Sequence, residues 1–252
     1  MNVLQAVEEA YRAYEGEKGY IGFSENGAGI PYFLIGRGAP VVLAQFSMHA
    51  REYITSYLVL HYLGDLVKSP VKGSVYLLPL MNPDGVKICL SGHPLYKANA
   101  RGVDLNVNFD AKWGTGASNV FTPGAENYVG PYPFSESETR ALRDFTYAVR
   151  PDATLSFHAK GEEIYWCFDQ SGERLLRDLL IAEAVSRETG YPLKRTPNSA
   201  GGYKDWCVSA LRIPALTIEV GKDALAHPIG REHSEQIYAD IKGAFRALAE
   251  EL

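Results

Sequence analysis

Two hydrophobic periods take turns along the chain. In MNVLQAVEEAYRAYEGEKG, the residues Val3, Leu4, Val7, Ala10, Tyr11 and Tyr14 fall on one face at helical spacing, which predicts an amphipathic helix. IPYFLIG (Ile30 to Gly36) then alternates as a strand does, and APVVLAQF (Ala39 to Phe46) is a continuous apolar run of the kind buried on both faces. Ile54, Leu58, Tyr62 and Leu66 recur every fourth residue and predict a helix over Arg51 to Val67. SVYLLPLMNPDG reads as another buried strand, ended by turn chemistry at Asn82-Pro83-Asp84-Gly85. From Val86 to Asn127 regular patterning fades, and a loop that long in a compact domain usually carries function.

The periods return in the second half. Ser135 with Glu138 three residues on is a capping box, opening a helix that runs to about Arg150, before Pro151. ATLSFH and EIYWCF read as strands on either side of Ala159-Lys160-Gly161. Ser171 is expected to cap a helix ending near Gly190, and Gly201 to Leu211 reads as a turn with a short helix. PALTIEVG (Pro214 to Gly221) is a third buried strand, and the last helix begins near Arg231. The alternation predicts one three-layer α/β domain, residues 1–252, around a mixed sheet.

Composition narrows the partners. The 252 residues carry a formal net charge of -5, with 46% hydrophobic and 22% charged positions, ordinary values for a globular chain. No basic face or run points to nucleic acid. Cys89, Cys167 and Cys207 are too sparse for a disulfide framework or a thiolate metal site and are expected as buried free thiols. No segment resembles a signal peptide or a membrane span, so a cytoplasmic protein without membrane contact is expected. The sequence fixes no oligomeric state.

In α/β folds, sites form beyond the carboxyl ends of the strands. His49 follows VVLAQF, His158 ends ATLSFH, and Glu219 stands near the end of ALTIEV. Catalytic zinc takes three ligands from His, Glu or Asp and keeps a fourth position open. His49 and Glu52 lie at a strand-to-helix junction and can converge on one ion, with His158 completing a His2Glu set. Glu219, a carboxylate inside an apolar strand, is then a general base acting on water. Taken singly each has a plainer explanation: a helix N-terminal carboxylate for Glu52, a core histidine for His158, a buried salt bridge for Glu219.

At these residues the sequence resembles the zinc carboxypeptidases typified by the pancreatic enzymes. The matching pieces are MHAREY (His49, Arg51, Glu52), MNPDG (Asn82 to Gly85), YKANARGVDLNVNF (Tyr96 to Phe109), SFHAKGEEIYW (Ser156 to Trp166), GGYKDW (Gly201 to Trp206) and TIEVG (Thr217 to Gly221), in family order and across nearly the whole chain. The resemblance implies a doubly wound, mostly eight-stranded mixed sheet. It also implies one zinc ion held by His49, Glu52 and His158, with Glu219 as the base that passes the proton to the leaving amine.

The departures concern the substrate. Members that remove one C-terminal residue carry Asn-Arg-Asn in the long loop, where the Arg clamps the terminal carboxylate; here the string is Asn106-Val107-Asn108. Valine cannot make that bidentate pair. Lys97 takes the place of the oxyanion-stabilising Arg, and Arg101 is the nearest guanidinium; Arg101 is expected to serve. Lys204 occupies the position that helps set specificity on the leaving-group side, and it favours a negatively charged group. This combination resembles the bacterial branch of γ-D-glutamyl-diamino acid peptidases and murein peptide amidases. Asn106, Lys160, Glu162, Glu163, Lys97 and Lys204 are then expected around a cell-wall peptide. The alternatives are a conventional carboxypeptidase of broader specificity, a zinc deacylase of amino-acid conjugates, and a non-catalytic binding module that keeps the fold.

Overall fold

The computed structural model describes residues 1–252. Eight strands form a single mixed sheet: β1 (Lys18–Phe23), β2 (Gly29–Gly36), β3 (Val41–Phe46), β4 (Ser74–Leu78), β5 (Ala153–His158), β6 (Glu163–Tyr165), β7 (Leu193–Lys194) and β8 (Ala215–Glu219). Their spatial order is β1-β2-β4-β3-β5-β8-β6-β7. The centre, β4-β3-β5-β8, is parallel, whereas β1, β2 and β6 join antiparallel.

Side-chain alternation divides the core into two. Val42, Ala44 and Phe46 of β3 belong to one cluster, and Leu43 between them belongs to the other. The larger cluster is covered by α1 (Val3–Ala13), α2 (Ile54–Lys68), α5 (Gly172–Thr189), α7 (Ser234–Ile241) and α8 (Ala244–Glu251). The smaller is covered by α4 (Ser137–Val149) and α6 (Tyr203–Trp206). This is the expected three-layer, doubly wound α/β arrangement. No helix is long and apolar enough to cross a membrane.

Several boundaries differ from the expected ones, each for a local reason. β1 is an edge strand with two glycines and only partial burial, so it carries no apolar alternation to read. Asn82 does not end a turn. Its Oδ1 accepts from the Gly85 amide at 2.9 Å, and with Pro83 in the first turn it opens helix α3 (Pro83–Leu90). The Ser135–Glu138 capping box does not form: Ser135 Oγ donates to the Glu136 carboxylate at 2.6 Å, Glu138 is bonded by Asn99, and α4 starts at Ser137. Glu52 lies in a short 3-10 turn (Ala50–Glu52) ahead of α2, rather than in the helix. The last helix is broken at Lys242-Gly243 into α7 and α8. All three cysteines are free, but Cys167 is only half-buried.

Candidate active site

The carboxyl ends of β3, β5 and β8 lie side by side, and the registers place Phe46 beside Phe157 and His158 beside Glu219. Phe46 and Phe157 stack with ring centroids 4.5 Å apart, one layer below the polar residues. Beyond Phe46 the chain turns at Ser47, whose amide and hydroxyl bond to Thr55 and Ser56 at the start of α2. Asn82 Nδ2 donates to the Met48 carbonyl at 3.1 Å and to the Ala98 carbonyl at 3.0 Å, tying this turn to the long loop.

These constraints bring His49, Glu52 and His158 together. The Nδ1 atoms of the two imidazoles are 3.1 Å apart, and each lies 2.9 Å from a different oxygen of Glu52. All three residues are buried. Tetrahedral donors at about 2.0–2.1 Å from a zinc ion sit roughly 3.3 Å from one another, so the set fits such an ion with little adjustment.

The electrostatics fit as well. Burial would raise Glu52, but His49 and hydrogen bonds from both histidines hold it well below the usual carboxylate range. Burial would lower His49, yet the Glu52 and Asp104 carboxylates push it up to about 9. His158 is lowered: burial, helped by the neighbouring His49, outweighs the Glu52 and Asp104 carboxylates. The cluster thus favours positive charge at its centre.

Asp104 is the member that the sequence reading passed over. Its Oδ1 accepts from His49 Nε2 at 3.1 Å and its Oδ2 pairs with the Lys97 ammonium at 2.7 Å. A carboxylate on the far edge of a ligating imidazole fixes its tautomer and leaves Nδ1 free to bind. In the sequence it is an acid between Val103 and Leu105 in a loop, with no regular element to show where it points. His227 was also missed: it lies close enough to feel Glu52 and His49, and its buried Nδ1 has no protein partner.

Glu219 stands half-buried between His158 on β5 and Glu163 on β6. Burial, then the Glu52 and Glu163 charges, raises it well above the ordinary carboxylate range. The other expected residues divide. Lys97 joins the cluster, and Asn106 and Lys204 line a small cavity with Glu219. Lys204 is buried, paired with Asp205 and donating to the Cys167 carbonyl at 3.0 Å. Glu163 accepts from the Tyr165 hydroxyl, Lys160 donates to the Asp223 carbonyl, and Glu162 lies half-buried in the loop between them. Arg101 is not brought in. It is half-exposed and faces Glu25 and Glu136 at 3.9 and 3.7 Å, because the loop turns it toward the start of α4.

The family model for zinc carboxypeptidase matches residues 17–238, and the converged donors lie inside that span. The chain belongs to the zinc carboxypeptidase family. It is a hydrolase of the metallopeptidase type, and its family is zinc-dependent. Among zinc carboxypeptidase relatives, γ-D-glutamyl-L-diamino acid endopeptidase 1 of Lysinibacillus sphaericus is 31% identical over 98% of this chain and 70% of its own length. Carboxypeptidase B of Astacus astacus is 27% identical over 74% of the chain and 72% of its own. Among solved structures, bovine thrombin-activatable fibrinolysis inhibitor superposes with a TM-score of 0.85 at 20% identity, covering 98% of this chain and 93% of that one. The murein-tripeptide amidase of Escherichia coli O157 superposes with a TM-score of 0.65 at 24% identity, covering 93% of each chain. These two superpositions establish the shared fold.

Proposed function

We propose that residues 1–252 act as one catalytic unit that holds a single zinc ion through His49, Glu52 and His158. In this reading the unit hydrolyses the amide between the γ-carboxyl of D-glutamate and a diamino acid in cell-wall peptides. The observation that carries the substrate class is the 31% identity to a γ-D-glutamyl-L-diamino acid endopeptidase over 98% of the chain. The valine at position 107, where a carboxylate-clamping arginine stands in exopeptidases of the family, supports it.

When bound, zinc supplies Lewis-acid polarisation of the scissile carbonyl and lowers the pKa of water to about 7. Glu219 takes the proton from the attacking water and delivers it to the departing amine. It stands beside His158 across the β5–β8 pair, outside the three converged donors, which leaves its carboxylate for that proton. Lys97 keeps its positive charge despite burial, because Asp104 stabilises it, and it neutralises charge developing on the carbonyl oxygen. Asp104 holds His49 in its ligating tautomer. The buried Lys204–Asp205 pair lines the cavity beside Glu219 on the leaving-group side.

The test compares L-Ala-γ-D-Glu-diaminopimelate with an α-linked peptide of ordinary L-residues, using zinc-loaded protein and mass spectrometry. Release of diaminopimelate from the first, abolished by a chelator and restored by zinc, is expected. Efficient cleavage of only the α-linked peptide would overturn the substrate assignment.

A further inference from the structure

Val107 leaves its place on the leaving-group side without a guanidinium, and another residue lining the same cavity, Arg195, supplies one. The cavity beside Glu219, about 160 Å3, shares Tyr165, Thr196 and Ser199 with a neighbouring cavity of about 420 Å3. Val107 and Arg195 both line that second cavity, with Lys194 beside them. A leaving group that extends from Glu219 past Tyr165, Thr196 and Ser199 therefore reaches the cavity lined by Val107 and Arg195.

Arg195 has the attributes of a receptor for an anion. Its Cζ lies 5.2 Å from the ring centroid of Trp166, and it makes no ion pair or hydrogen bond within the protein. The contact with Trp166 leaves the guanidinium N–H groups without a protein partner, available for a bidentate carboxylate. Lys204 differs, because Asp205 and the Cys167 carbonyl already engage its ammonium.

The segment carrying Arg195 is fixed against the loop carrying Val107. The Ala117 amide donates to the Asn198 carbonyl at 2.9 Å, the Gly201 amide to Ala111 at 2.8 Å, and the Phe109 amide to Gly201 at 2.9 Å. Gly201 has a φ of +83°, and a Cβ there would lie 2.7 Å from the Val107 carbonyl oxygen, so only glycine allows this approach. The two walls keep a set separation.

We propose that Arg195, with Lys194 beside it, binds a carboxylate of the leaving diamino acid in place of the arginine missing at position 107. The identity of that leaving group rests on the cell-wall reading above; the role of Arg195 rests on the shared cavity.

The experiment uses zinc-loaded wild type, Arg195→Met, and the double variant Val107→Arg/Arg195→Met. Methionine keeps contact with Trp166, and thermal melting checks the fold. Substrates are matched peptides whose leaving residue has both carboxylates free, one amidated, or the other amidated. Wild type is expected to favour a free carboxylate by roughly tenfold or more, mainly in KM, the scale of one charge-assisted pair. Arg195→Met is expected to erase that preference, and arginine at 107 is expected to restore part of it. Diaminopimelate binding, measured by calorimetry, should weaken in parallel in Arg195→Met. An unchanged preference in Arg195→Met, or none in wild type, overturns the proposal. If wild type cleaves only α-linked peptides, the cell-wall reading fails, and the same amidation comparison on those peptides still decides Arg195.

Discussion

Asp104 Oδ1 lies 3.1 Å from Nε2 of His49, on the edge of the ring opposite the one that meets Glu52 and His158. With a metal bound, this arrangement would let one imidazole keep its Nε2 proton toward a buried anion and turn Nδ1 to the ion. Asp104 itself is held well below the usual carboxylate range: burial opposes this, and His49 and Lys97 together outweigh it.

Asp104→Asn tests that relationship. The amide keeps the size of the side chain but removes its charge. Zinc affinity is expected to fall by about 10- to 100-fold, the usual effect of losing such a partner. Competition with a chromophoric chelator measures it. Unchanged affinity would show that His49 needs no anchor.

Lys97 and Arg101 separate cleanly. Lys97 pairs with Asp104 at 2.7 Å, whereas Arg101 faces Glu25 and Glu136. Lys97→Met is expected to lower kcat by about 100- to 1,000-fold with a smaller change in KM, as removal of a charge-stabilising donor does. Arg101→Met, a surface change, is expected to stay within about threefold. Steady-state kinetics decides, and the opposite ranking would return the role to Arg101.

Glu138 predicts a pH dependence of stability. Burial pushes it up to about 7 from 4.5, with Glu25 adding to the rise, while the Asn99 side chain and backbone amides oppose it. The folded state therefore keeps a proton that the unfolded chain releases between these values. The contribution is full below the lower value and is lost as pH rises through the upper one, amounting to about 3 kcal/mol at most. Glu138→Gln cannot ionise. Its melting temperature relative to wild type is expected to climb between about pH 5 and about pH 8. A constant difference across that range would contradict the assignment.

What the sequence discloses depends on whether a residue ends a regular element. His49, His158 and Glu219 interrupt or end apolar runs, so both their location and their oddity are legible. Glu52 is legible through its spacing from His49. Asp104 meets His49 across 55 residues from an irregular loop, and no periodicity signals that contact. Lys97 and Arg101 lie four residues apart in the same loop, and only its path decides which one turns inward. Asn82-Pro83 is equally good turn and helix-start chemistry, so the local string cannot choose between them. Arg195 becomes meaningful only through Trp166 beside it and Val107 in the same cavity.

The most direct test is metal content and turnover measured together in Glu219→Gln. Glu219 stands beside His158 across the β5–β8 pair, outside the three converged donors. Elemental analysis is expected to find the same single equivalent of zinc as in wild type, with kcat reduced by about 100- to 10,000-fold. Loss of the zinc, or turnover at the wild-type rate, would contradict the division of labour between the His49–Glu52–His158 set and Glu219.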